Sequence, residues 1–147
     1  MNALELINFG TYKLREKKIA TSRLDSELLL SKILNKKREE ILINLEQNIC
    51  QKYFFKYKKL IQRRSQHEPI AYILKEKEFW SKNFFVTTDT LIPRPETELM
   101  VEKLIRIFNG KTISILDIGT GSGCILISLL CELKNSNGLG IDISKKA

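Results

Sequence analysis

The sequence predicts an α/β nucleotide-binding unit of Rossmann-like, doubly wound type, truncated, preceded by an all-α helical bundle and a β-hairpin linker. Three observations carry this. Ile115 to Gly123 reads I-L-D-I-G-T-G-S-G, a second short apolar run ends at Asp142, and the first 65 or so residues show helical periodicity with no strand alternation.

In chain order, Leu4, Ile7 and Leu14 outline a weak first helix, expected to pack loosely. A clearer helix starts at Ser22, whose hydroxyl is expected to cap it with Asp25 three residues on, and continues through Leu28, Leu29, Ile33 and Leu34. Arg38 to Leu45 predicts a shorter helix, and Gln51 to Ser65 a long one with Tyr53, Tyr57, Leu60 and Ile61 on one side. On that helix Lys52, Lys56, Lys59 and Arg63 recur at helical spacing and share a different face. Such a stripe suits phosphates or an acidic protein, and equally an ordinary solvated face. His67 falls in a loop before Pro69 and reads as a surface residue.

Glu78 to Trp80 and Phe84 to Thr88 are aromatic and β-branched runs, so a hairpin turning at Ser81–Asn83 is expected. Pro95 suits the first turn of the next helix, Glu96 and Glu98 its positive end, and Val101, Leu104, Ile105 and Phe108 its buried stripe. Asn109-Gly110 ends it. Ile113 to Ile118 then reads as a buried parallel strand, Cys124 to Leu133 as a helix on a sheet, and Gly138 to Ile143 as a second strand.

Between strand and helix, Gly119, Gly121 and Gly123 allow positive φ and close approach of a ligand. Asp142 follows Gly123 by 19 residues, close to the ~20-residue offset of a carboxylate that grips ribose hydroxyls. The spacing is G-x-G-x-G, whereas a dinucleotide fingerprint would put its third glycine at Cys124. S-adenosylmethionine has no pyrophosphate and carries two cationic groups, and Asp117 beside the loop suits it electrostatically. Cofactor-binding residues are thus expected at Asp117, Gly119, Gly121, Gly123 and Asp142.

Composition narrows the class further. At 43% hydrophobic residues the chain is globular, and no apolar stretch approaches the ~18 residues of a membrane span. Three cysteines without C-x-x-C spacing suggest neither a disulfide framework nor a metal site, and buried reduced thiols fit the cytoplasm. Formal charge is +8, and residues 1–74 hold 15 Lys and Arg against 8 acids. That excess is compatible with an acidic or RNA-rich partner.

The ordered segments L-D-S-E-L-L-L (Leu24 to Leu30), R-R-S-Q-H-E-P-I-A-Y-I (Arg63 to Ile73), E-F-W (Glu78 to Trp80), L-I-P-R-P-E-T-E (Leu91 to Glu98) and the glycine loop resemble the bacterial protein-(glutamine-N5) methyltransferases that modify peptide chain release factors. The resemblance implies a helical substrate-recognition domain at 1–74, a hairpin linker at 75–92, and from 93–147 the start of a class I S-adenosylmethionine-dependent methyltransferase domain. The implied substrate is the glutamine side-chain amide in the Gly-Gly-Gln loop of a class 1 release factor. By the same resemblance Gly119, Thr120, Gly121, Ser122 and Gly123 would cradle the cofactor, Asp142 would hold its ribose, and Pro93, Arg94, Pro95 and Glu96 would wall the same pocket. His67 and Lys75 stand where the family usually has glycine, which puts the local turns in question.

The family's acceptor motif, N-P-P-Y, has no counterpart here: the only prolines are Pro69, Pro93 and Pro95. No catalytic residue is therefore assigned, and methyl transfer by this chain alone is not expected. The chain reads as the N-terminal part of such an enzyme, from a truncated or split reading frame or a fragment, with a second chain as one way to complete the sheet. Two other readings stay open: a non-catalytic basic module that binds a release factor or RNA, and a fragment of a nucleic acid adenine methyltransferase.

Overall fold

The computed structural model describes residues 1–147. They form two compact units, Met1–Leu74 and Lys75–Ala147.

The first unit is helical: α1 (Ala3–Glu16), α2 (Ser22–Leu34), α3 (Arg38–Ile43), α4 (Gln51–Ser65) and α5 (Ile70–Leu74). The first helix is not loosely packed. Ala3, Leu6, Ile7 and Leu14 are fully buried, and Asn2 and Glu5 close a reciprocal capping box at its start. Gly10 lets α2 and α4 approach it closely. The Ser26 hydroxyl donates to the Ile7 carbonyl at 2.8 Å and lies 2.5 Å from the Tyr57 hydroxyl, so three helices meet at one buried polar node.

Helix α2 starts where expected, but by another device. Its N-cap is Thr21, which makes no side-chain bond to the backbone and instead donates to Asp25 Oδ2 at 2.9 Å. Asp25 is buried and receives Arg64 Nε at 2.7 Å. Buried Glu27 receives Arg23 and Arg38. The acids of L-D-S-E therefore anchor α3 and α4 onto α2, pairings 11 and 39 residues apart that helical periodicity cannot reveal. Helix α3 ends at Ile43 rather than Leu45, and α5, begun after Pro69, was not foreseen as a helix.

His67 and Lys75 both adopt left-handed backbone, with φ of 64° and 60°. The turn geometry that glycine would favour is thus kept with side chains that disfavour it. His67→Gly and Lys75→Gly are each expected to raise the stability of the chain by about 0.5–1 kcal/mol. Urea denaturation measures this directly, and a loss of stability in both variants would contradict it.

In the second unit a hairpin, β1 (Glu76–Phe79) and β2 (Lys82–Phe85), precedes α6 (Thr97–Phe108), β3 (Ser114–Ile118), α7 (Cys124–Glu132) and β4 (Asn137–Ile141). The hairpin turn is Trp80–Ser81, earlier and tighter than Ser81–Asn83, because Phe79 pairs with Lys82. A two-residue turn of this kind needs positive φ twice, and Trp80 and Ser81 supply 50° and 56°. Tertiary bonds hold this disfavoured geometry: the Trp80 backbone N–H donates to Glu98 and its indole N–H to Glu132. The second glutamate of P-R-P-E-T-E thus has a partner that helix-start chemistry does not predict.

Strands β3 and β4 are parallel, pairing Leu116 with Leu139, Asp117 with Gly140 and Ile118 with Ile141. One face packs through Ile115 onto the cluster of Phe79, Phe84, Val101, Cys124, Leu129 and Leu133. The other is open, so β3 is not the buried strand expected: Leu116 is 57% exposed and Ile118 75%. Of the cysteines only Cys124 is buried, against the expectation of three buried thiols. No helix is long and apolar enough to cross a membrane.

Candidate functional site

The site is the turn between β3 and α7, closed by the residue that follows β4. Gly119, Gly121 and Gly123 have φ of 80°, 52° and 75°, so each occupies the left-handed region for which glycine was anticipated. A Cβ built at Gly119 or Gly121 would meet nothing within 4 Å, leaving open space beside the loop. Gly123 caps α7, and the Ile127 N–H donates to its carbonyl at 2.9 Å.

Bonds from β4 hold the loop in place. The Gly119 and Thr120 N–H groups both donate to the Ile141 carbonyl, at 2.8 and 3.0 Å. Asp142 completes the closure: Oδ2 accepts from Gly121 N–H at 2.9 Å and Oδ1 from Ser144 N–H at 2.8 Å. These two bonds, Ser144 first and Gly121 second, hold its carboxyl below the ordinary aspartate value. Each oxygen still has lone-pair capacity, because one N–H uses only one acceptor direction. Sequence spacing predicted a carboxylate here, but not that it would clamp the glycine loop.

Asp117, on β3, accepts from Thr120 Oγ1 at 2.9 Å. The Ser122 hydroxyl is buried beside the Cys124 thiol without a conventional hydrogen-bond partner, and burial pushes that thiol's pKa up. The structure therefore brings Asp117, Gly119, Thr120, Gly121, Ser122, Gly123 and Asp142 together.

Pro93 is buried, while Arg94, Pro95 and Glu96 are exposed in the turn before α6. Helix α6 begins at Thr97, two residues later than the placement of Pro95 in its first turn anticipated. No hydrogen bond or ion pair joins this segment to the glycine loop. In the helical unit Lys52, Lys56, Lys59 and Arg63 are all exposed, and Arg63 is paired with Glu68.

A parallel strand, a turn of left-handed glycines, a helix and a carboxylate closing the next strand make a βαβ unit of the kind that holds nucleotides. Residues 5–74 match the family model of the PrmC N-terminal domain. The chain is 45% identical over 125 residues to the release factor glutamine methyltransferase of Buchnera aphidicola subsp. Schizaphis graminum, covering 85% of this chain and 46% of that protein. It is 43% identical over 146 residues to the protein of the same name from Leptospira interrogans, covering 98% and 51%. It is also 36% identical over 168 residues to a bifunctional methyltransferase of Rickettsia conorii, covering 97% and 32%. Residues 5–74 belong to the PrmC N-terminal domain family, and most of the chain is similar to release factor glutamine methyltransferases. The chain spans about half the length of those relatives and about a third of the bifunctional one.

Proposed function

We propose that this chain provides the methyl-donor side of an S-adenosylmethionine-dependent methyltransferase acting in the cytoplasm on the glutamine side-chain amide of a class 1 peptide chain release factor. Its second unit then carries the cofactor-binding segment of a class I methyltransferase domain. The observation that carries the reading is the Asp142 carboxylate bonded to the Gly121 N–H, across a loop in which Gly119 and Gly121 face open space.

In this reading Asp142 keeps lone pairs for the two ribose hydroxyls, and Gly119 and Gly121 let the ligand lie against bare backbone. Asp117 faces the cationic amino-acid end, and Pro93 to Glu96 wall the pocket. Two carboxylates beside the loop favour a cation and disfavour a pyrophosphate, which supports S-adenosylmethionine over NAD. The buried Ser122 hydroxyl supplies one more polar group without a conventional partner. Bound there, the cofactor supplies an electrophilic methyl group on a sulfonium. An amide nitrogen is a poor nucleophile because its lone pair is delocalised, so holding that methyl in one place lowers the barrier by orientation.

The helical unit would dock the release factor. Helix α4 favours a charged contact: it carries six cations, Lys52, Lys56, Lys58, Lys59, Arg63 and Arg64, and no acid. Like charges at helical spacing repel, and an anionic partner relieves that. The same observation favours a second reading, a basic module without catalysis. Steeply salt-dependent RNA binding, lost on changing Lys52, Lys56, Lys59 and Arg63 to Ala, would support it.

Calorimetric titration tests the cofactor choice. Saturable binding of S-adenosylmethionine with no heat from NAD is expected, and the opposite preference would overturn the proposal.

A further inference from the structure

We propose that Thr120 and Gly140 are positioning residues that aim the Asp117 carboxylate at the ammonium group of the cofactor's amino-acid end. This rests on the methyl-donor reading above.

Gly140 differs in kind from the loop glycines. Its backbone is not among the positive-φ positions, so conformation does not require glycine there. Space does. A Cβ at 140 would lie 2.8 Å from Thr120 Oγ1 and 3.1 Å from both Thr120 Cβ and Cγ2. The Thr120 side chain therefore rests on bare β4 backbone.

Asp117 is the direct ladder partner of Gly140, so the two share a face of the sheet. From its seat over Gly140, Thr120 Oγ1 donates to Asp117 Oδ2 at 2.9 Å. A hydroxyl has one proton, so this bond commits it and leaves the Thr120 lone pairs as acceptors. Asp117 Oδ1 takes no donor from the chain and keeps its full acceptor capacity. Thr120 thus fixes one carboxylate oxygen and leaves the other, beside its own lone pairs, for a cation with several N–H donors. A side chain at 140 would lift Thr120 away and free Asp117 to rotate.

The test is titration of the full chain with two ligands. S-adenosylmethionine carries the ammonium group; 5′-methylthioadenosine shares the nucleoside and sulfur but lacks the amino-acid end. Thr120→Val keeps the shape and removes the donor, whereas Gly140→Val displaces the side chain. Each is expected to weaken S-adenosylmethionine about 5- to 10-fold, the worth of one hydrogen bond. Binding of 5′-methylthioadenosine should change less than about 2-fold, because it never meets the ammonium-binding groups. The double variant should lose no more than the worse single one, since both act through the same bond. Equal weakening of both ligands, or no change in either, would overturn the positioning role while leaving the cofactor reading intact. If the unmodified chain binds neither ligand, the cofactor reading fails and this inference falls with it.

Discussion

Gly10→Ala is expected to destabilise the helical unit by about 3 kcal/mol, the largest effect of any single methyl group in this chain. The added Cβ would meet Tyr57 Oη well inside contact distance, Ser26 Oγ at 2.5 Å and Ile61 Cδ1 at 2.8 Å. None of these can yield cheaply. The single Ser26 proton goes to the Ile7 carbonyl, so Tyr57 must donate to Ser26. Burial raises the Tyr57 pKa well above the ordinary phenol value, so the hydroxyl is a neutral donor near neutral pH. Parting the helices to admit the methyl would leave these buried polar groups unpaired. A fall in melting temperature of at least about 12 °C follows from the entropy of unfolding a unit this size. A shift under about 3 °C would mean that the three-helix node is looser than described.

Asp142→Ala is expected to have the largest effect on binding, weakening S-adenosylmethionine about 100-fold, as loss of hydrogen bonds to a charged group implies. The substitution removes the acceptor of the Gly121 and Ser144 N–H groups together with the groups assigned to the ribose. Asp142→Asn should recover little, because its NH2 would face a backbone N–H that needs an acceptor. Since the folded-state pKa is lowered, the loop clamp is fully present above the unfolded value of about 3.9 and is lost as pH falls through the lower folded value. Binding should therefore show no titration of Asp142 between about pH 5 and 8. Affinities measured by calorimetry across that range decide the point, and an Asp142→Ala variant that binds like the parent would remove Asp142 from the site.

The glycine loop was legible in the sequence because its requirements are local. Positive φ at Gly119, Gly121 and Gly123, the helix after Cys124 and the Asp142 offset all follow from a strand turning sharply into a helix. Helix α4 was legible for the same reason, since its pattern repeats over four turns. What escaped depends on residues far apart in sequence. Asp25 read as a capping residue because its partner Arg64 lies 39 residues on. The centrality of α1 was hidden because Gly10, its most constrained position, has no side chain to signal burial. Trp80 read as the end of a strand because Glu98 and Glu132, which hold it in a turn, belong to later helices. Likewise nothing in the run Gly138 to Ile143 singles out Gly140, since only the folded loop puts Thr120 on top of it.

Backbone amide resonances followed during titration with S-adenosylmethionine test the central claim most directly. The account predicts saturable shifts at Gly119, Thr120, Gly121, Ser122 and Gly123 and beside Asp142, with the helical unit Met1–Leu74 unchanged. Shifts confined to that helical unit, or a glycine loop that stays silent at saturation, would contradict it.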